Sequence, residues 1–177
     1  MTRKCILDVD GILWDFHSVL NPILAEEYGS PVNIKSTKWD WYLDYMTEEQ
    51  FFHGVDMAHE RQLENAPFPG ADDLFDALYE TGHQVIVASH RQRNMAADLA
   101  TWLMINISDK WSGVYTGPDK KFLIEPDDLV IDDSPETINH VLSIGAESWT
   151  LKWPWNRDTL ATKFGNLAQM AAKLRRT

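Results

Sequence analysis

The chain has almost no sulfur chemistry to offer. Cys5 is the one cysteine among 177 residues, which excludes an intrachain disulfide framework and is compatible with a reducing compartment. Placed inside an apolar run, Cys5 reads as core. The chain is also short of cationic charge, with 16 Lys and Arg against 27 Asp and Glu and a net charge of -11 at pH 7. A basic surface for duplex nucleic acid is therefore not expected. No apolar run approaches the ~20 residues of a membrane-spanning helix, and the first residues pass into a strand-like run without the layout of a secretory signal. These absences point to a cytoplasmic protein that is not held in a membrane. His17, His53, His59, His83 and His140 show no metal-ligand spacing and read as structural or surface residues. There is no internal repeat and no low-complexity segment.

What is present is a repeated pattern of short apolar runs ending in reactive side chains. Cys5-Ile6-Leu7-Asp8-Val9-Asp10-Gly11 ends in two carboxylates at i and i+2. Alternate residues of a strand share a side, so both can face the crevice at a strand's carboxyl end, where open α/β sheets place ligands. Two such charges repel unless a cation or a shared proton relieves them. Leu129-Val130-Ile131-Asp132-Asp133 repeats the pattern, and Val85-Ile86-Val87-Ala88-Ser89 ends in a hydroxyl followed by His90 and Arg91. Continuous Val/Ile/Leu runs mark parallel strands covered on both faces, so the three polar ends should converge on one edge of the sheet.

The alternation of runs predicts a three-layer α/β/α sandwich of Rossmann-like form, with a parallel sheet. Strands are expected over residues 4–9, 84–89, 112–116, 129–132 and 147–152. Helices are expected over about 14–28, 71–81, 92–104, 135–144 and 158–174, with a short one from Lys120. Gly29 and Pro31 stop the first helix, and Thr47-Glu48-Glu49-Gln50 reads as a helix cap before Phe51 and Phe52. Pro67-Phe68-Pro69-Gly70 is the clearest breakpoint. Residues 13–66 thus form a small, mainly helical cap inserted after the first strand, and residues 1–12 and 67–177 form the core. A cap there overlies Asp8 and Asp10 and can exclude water and select substrate. Its Phe16, Trp39, Trp41, Tyr42, Phe51 and Phe52 serve either as packing for the cap or as a flat slot for a nucleobase.

Asp8-Val9-Asp10-Gly11, Ser89, a lysine ahead of the last acidic strand, and Asp132-Asp133 match in order and spacing the four motifs of the haloacid dehalogenase-like superfamily. The resemblance spans the whole chain. It implies phosphoryl transfer to Asp8 as nucleophile and proton transfer by Asp10 as general acid and base. Mg²⁺ would be held by Asp8, the Asp10 backbone carbonyl and Asp133, with Asp132 orienting Asp133. Ser89 would hold a phosphoryl oxygen, and a lysine would neutralise charge that builds during transfer. Lys120 and Lys121 both qualify, and the Asp119-Lys120 pair favours Lys120. His90 and Arg91 follow the hydroxyl motif at a place suited to phosphate contact.

Within the superfamily the chain is most similar to the 5'(3')-deoxyribonucleotidases. Asp8 to Phe16 follows that family's opening, and a phenylalanine at the position of Phe16 belongs to its base pocket. Trp39, Trp41 and Tyr42 resemble the aromatic segment of its cap, and Pro67-Phe68-Pro69-Gly70-Ala71 its return to the core. The resemblance implies Mg²⁺-dependent hydrolysis of nucleoside monophosphates as small-molecule substrates. Ser89-His90-Arg91 departs from the usual Thr-Ser-Pro. Two alternatives remain: another phosphatase of the same superfamily, for polynucleotide 3' ends or small metabolites, and a non-catalytic metal- or nucleotide-binding protein. A homo-oligomer is compatible with all three.

Overall fold

In the computed structural model, residues 3–32, 36–107 and 109–176 are described, and six parallel strands form one sheet in the order β3-β2-β1-β4-β5-β6. The strands are β1 (Lys4–Leu7), β2 (Gln84–Ser89), β3 (Gly113–Thr116), β4 (Leu129–Ile131), β5 (Glu147–Leu151) and β6 (Thr162–Phe164). Alternation along them makes two apolar faces. Cys5, Leu7, Val85, Val87, Leu129 and Ile131 join the larger core, whereas Ile6, Ala88 and Val130 join a smaller one on the other side. Helices α3 (Ala71–Glu80) and α6 (Leu167–Leu174) pack together and supply Leu74, Phe75, Leu78, Leu167 and Met170 to the larger core. Helix α5 (Pro135–Ser143) covers the other face through Val141, beside Ile124. Each large apolar side chain so buried stabilises the fold by about 1.5–3 kcal/mol.

Strand β1 pairs with β2 on one side and β4 on the other, both parallel. The chain's connections diverge there, so the carboxyl ends of β1, β2 and β4 stand together at the switch point where ligands bind in such sheets. The expected α/β/α sandwich is the observed one.

Between β1 and α3 the chain forms α1 (Phe16–Tyr28), a 3₁₀ turn at Trp41–Asp44, α2 (Glu48–Glu60) and a second turn at Gln62–Glu64. Asp15 caps α1 by accepting the Ser18 N–H, and Gly29 closes it at φ 72°. Thr47 and Gln50 form the capping box foreseen for α2. Gly54 brings α2 against α1, since a Cβ there would stand 2.4 Å from Leu24 Cδ2. Leu20, Ile23, Leu24, Val55 and Ala58 are continuous with the sheet's larger core. The chain's departure and return are joined, with the Phe68 N–H donating to the Leu13 carbonyl at 2.7 Å.

Strand β1 ends at Leu7 instead of residue 9, and three helix boundaries differ from expectation. The helix expected over 158–174 is instead edge strand β6, paired with β5, followed by the shorter α6. Gly165 and Asn166 divide them: Asn166 caps α6 by accepting the Gln169 N–H, and the Gly165 N–H donates to Gln169 Oε1. The first helix begins at Phe16, because Trp14 bridges back to Asp10. The third begins with a 3₁₀ turn at Arg93–Met95 before α4 (Ala96–Asn106). Among the described residues no helix is long and apolar enough to cross a membrane.

Candidate active site

Asp8, Asp10, Ser89, Asp132 and Asp133 follow from three adjacent strand ends, and all five are near one another at the sheet's carboxyl edge. The Asp8 N–H continues the ladder by donating to the Ile131 carbonyl at 2.9 Å. Beyond Val9 the backbone turns at Gly11, whose φ is 74°. A Cβ on Gly11 would stand 2.6 Å from Asp133 Oδ2, so only glycine lets the acidic ends of β1 and β4 come this close.

Lys120 is the cation of this cluster. Its buried ammonium lies 2.6 Å from Asp8 Oδ1 and 2.7 Å from Asp132 Oδ2, and burial, which lowers its pKa, is outweighed by Asp132 and Asp8, which raise it. Lys121 turns away to pair with Glu136. Asp132 also accepts the Ser134 N–H through Oδ1 at 2.9 Å. Asp133 has no hydrogen-bond donor among the described residues. Burial and the charges of Asp8 and Asp132 push its carboxyl well above the usual range, and burial with Asp132 and Asp10 pushes Asp8 up to about 7 against the pull of Lys120.

Asp8, Asp132 and Asp133 bring carboxylate oxygens within 4.8 Å of one another, all three residues being buried. Three buried carboxylates with one ammonium between two of them leave an excess of negative charge, which a hard divalent cation with oxygen ligands would relieve. The residues therefore fit Mg²⁺. The undonated Asp133 carboxylate would be the better direct ligand, since Asp132 is already committed to Lys120 and Ser134.

Asp10 lives in a different environment. Its Oδ1 accepts from Trp14 Nε1 at 2.8 Å and Arg91 Nη2 at 3.0 Å. Its Oδ2 accepts from Ser89 Oγ at 2.8 Å and lies 3.1 Å from His59 Nε2. Burial pushes this carboxyl up, but Arg91, His59 and Trp14 outweigh it and hold Asp10 well below the ordinary carboxylate range.

A cavity of about 600 Å³ opens over these groups. Asp8, Asp10, Lys120, Asp132 and Asp133 line its floor, and Phe16, Trp39, Trp41, Tyr42, Phe51, Phe52 and Trp155 line its walls. Tyr42 and Phe51 stack on each other with centroids 3.8 Å apart, which leaves no gap for a ring between them. Phe16 stacks on His59, Trp39 and Trp155 approach each other with centroids 6.2 Å apart, and Trp41 is buried. His90 lines the cavity and stacks on Phe52. Burial and the Lys120 charge lower its pKa.

Arg91 and Ser89 are placed differently from expectation. Both are buried, and neither lines the cavity. The Arg91 guanidinium bonds Ser89, Gln62 and Asp10, so it is turned inward, away from the cavity. The Ser89 hydroxyl donates to Asp10. His59 and Gln62 were missed by the sequence reading, although the spacing 55, 58, 59, 62 continues one helical stripe of buried residues on and after α2. A histidine and a glutamine on an apolar stripe signal a polar partner inside.

No protein-family model matches the chain, and no curated protein matches it. Solved structures do. A structure described as a predicted phosphoglycolate phosphatase from Haemophilus somnus superposes with a TM-score of 0.68 at 17% identity, over 97% of each chain. A haloacid dehalogenase family hydrolase from Deinococcus radiodurans, with bound phosphate and sodium, gives 0.66 at 18%, over 98% of this chain and 95% of that one. A β-phosphoglucomutase from Clostridium difficile gives 0.64 at 17%, over 99% and 98%. These likenesses establish that the chain has the haloacid dehalogenase-like fold.

Proposed function

We propose that this chain of haloacid dehalogenase-like fold is a Mg²⁺-dependent phosphomonoester hydrolase that works through an aspartyl-phosphate on Asp8. The observation that carries the reading is Lys120 bonded to both Asp8 and Asp132 beside the undonated Asp133, on the floor of the aromatic cavity. Asp8, Asp133 and the Asp10 carbonyl would hold the metal, which supplies Lewis-acid charge neutralisation at the phosphoryl oxygens.

Asp8 is the nucleophile. Its free carboxylate oxygen forms a bond to phosphorus while the bond from phosphorus to the leaving oxygen breaks, and Asp10 supplies the proton that the departing alkoxide takes up. The charge of an arriving phosphate raises the Asp10 carboxyl toward that acid form. Asp10, now ionised, takes a proton from water as the water oxygen bonds to phosphorus, and the bond to Asp8 breaks. The products are an alcohol and inorganic phosphate. Lys120 holds Asp8 in place and offsets charge during both steps.

The cavity favours a neutral leaving group. Among the described lining residues the lysines are Lys120 and Lys121, both paired with carboxylates, and burial drives His17 down to about 4. A carboxylate such as that of phosphoglycolate meets no unpaired lysine or arginine among the described lining residues. The broad reading is a small-metabolite phosphatase with the insert 13–66 as its selecting cap. The narrower reading, a nucleoside monophosphatase of the 5'(3')-deoxyribonucleotidase kind, is supported by the aromatic walls. A polynucleotide substrate is disfavoured, because inward-facing Arg91 offers no phosphate contact. Phosphate release from a panel of sugar phosphates, nucleoside 5'- and 3'-monophosphates and phosphoglycolate tests the reading. The expected result is Mg²⁺-dependent release that Asp8→Asn abolishes, with phosphoglycolate among the poorest. Absence of release from every ester would refute it.

A further inference from the structure

The residues around Asp10 are more numerous than a proton-transferring carboxylate requires, and two of them come from the insert. His59 lies in the last turn of α2 and Gln62 in the turn just after it, whereas Arg91 follows β2 in the core. Arg91 is buried, and its guanidinium holds three acceptors at once: Ser89 Oγ through Nε at 2.8 Å, Gln62 Oε1 through Nη1 at 2.6 Å, and Asp10 Oδ1 and Oδ2 through Nη2 at 3.0 and 3.3 Å. Gln62 commits its carbonyl oxygen to this bond while its own amide nitrogen stays buried without a partner. Such an arrangement fixes orientation through a planar, rigid fork that no ammonium can reproduce.

We propose that Arg91 is a positioning residue that clamps the Asp10 carboxylate and, through Gln62, ties its orientation to the placement of the insert, whose His59 contacts Asp10 directly. The inference rests on the phosphomonoesterase reading above. Movement of the α2 end would shift Gln62 and His59 together, so Asp10 is aimed at the leaving oxygen when the insert is seated. Arg91 touches no substrate in this scheme, and its effect passes through Asp10. A merely structural ion pair would instead support all substrates alike.

Leaving-group dependence separates the two. An alkyl phosphate such as glycerol 2-phosphate needs a proton on its departing oxygen, whereas 4-nitrophenyl phosphate leaves as a stable anion. The value of kcat/KM reports the steps up to that departure. For Gln62→Leu, which removes the acceptor but keeps the bulk, kcat/KM on glycerol 2-phosphate is expected to fall by about tenfold or more. On 4-nitrophenyl phosphate it is expected to fall by less than about threefold. Arg91→Lys keeps a buried charge but cannot bridge three acceptors, and tests the same clamp from the core side if Gln62→Leu does not fold. Gln62→Glu, which restores an oxygen acceptor, should recover part of the alkyl-ester rate. Equal losses on the two esters in both variants would overturn the clamp alone. Absence of release by the unsubstituted protein from these two esters and from every ester of the panel above would instead refute the underlying function.

Discussion

Replacing Lys120 by methionine tests the electrostatic account of the acidic cluster without assuming any activity. The ammonium stands 2.6 Å from Asp8 and 2.7 Å from Asp132, and at an effective dielectric of about 20 each contact is worth roughly 6 kcal/mol of Coulomb attraction. Desolvation offsets much of this, and removing one partner of a buried pair costs about 3–5 kcal/mol, because the charges left behind are uncompensated. Proton uptake limits the loss. Burial with Asp132 and Asp10 already pushes the Asp8 carboxyl up to about 7, and without the lysine its folded-state value moves higher still. Between the two values the variant's folded state holds more protons than the parent's, so its stability falls faster as pH rises. The expected loss, from urea unfolding in the presence of a chelator, is about 1–2 kcal/mol near pH 5.5 and about 3–5 kcal/mol near pH 8. Adding Mg²⁺ should recover part of the loss at the higher pH. An equal loss at both pH values, or one below about 1 kcal/mol near pH 8, would refute the reasoning.

Gly11→Ala combines a left-handed backbone, at φ 74°, with a Cβ 2.6 Å from Asp133 Oδ2. It should cost about 1–2 kcal/mol in urea unfolding and weaken Mg²⁺ binding about tenfold by calorimetry; unchanged affinity would contradict the close packing of Gly11 on Asp133. Mg²⁺ itself should raise the thermal midpoint more at alkaline than at acid pH. Asp8 and Asp133 have raised pKa values in the metal-free protein, so binding releases protons there, and the difference is gained as pH climbs through about 7; a shift that does not change with pH would argue against these carboxylates as ligands. Gly54→Val places atoms where Leu24 Cδ2 stands 2.4 Å from even a Cβ. It should destabilise by about 1–3 kcal/mol, and an unaltered midpoint in thermal unfolding would show that α1 and α2 can separate freely.

The strands and their acidic ends were legible because their signal is local. Each buried strand is an apolar run, and each reactive group sits at the run's last positions, so the parallel order alone brings Asp8, Asp10, Asp132 and Asp133 together. The surroundings of Asp10 were not legible in this way. Whether Arg91 faces a ligand or the interior depends on Gln62, 29 residues away in sequence, and nothing within the β2 run states that. His59 and Gln62 could be found only by noticing that they extend the buried stripe of Val55 and Ala58. Strand β6 was hidden for another reason. Its three residues pair with β5 through backbone bonds, and the Ala- and Leu-rich segment beyond overrode them until the Gly165-Asn166 break is given its weight.

Two carboxylates separated by one residue have thus been given opposite electrostatics by their neighbours. Asp8 is surrounded by Asp132, Asp133 and a shared ammonium, and its carboxyl is pushed up to about 7. Asp10 is surrounded by donors from Trp14, Ser89, His59 and Arg91, and is held well below the ordinary range. Pairs of acids pushed apart in this way mark a division of labour between them. On the proposed mechanism the nucleophile must be ionised near neutral pH, so Asp8 would depend on a cation that the described side chains only partly supply. Asp10 is held ionised without such help, since its charge is balanced by groups of the core and the insert, and on the proposed mechanism it takes up a proton only as a phosphate arrives. Removing metal should therefore disable the group that attacks phosphorus while leaving the ionisation of the proton carrier nearly unchanged. The opening pair reads as one acidic motif in sequence, but the proposed mechanism would couple Asp8 to a metal, whereas Asp10 is joined to α2 through His59.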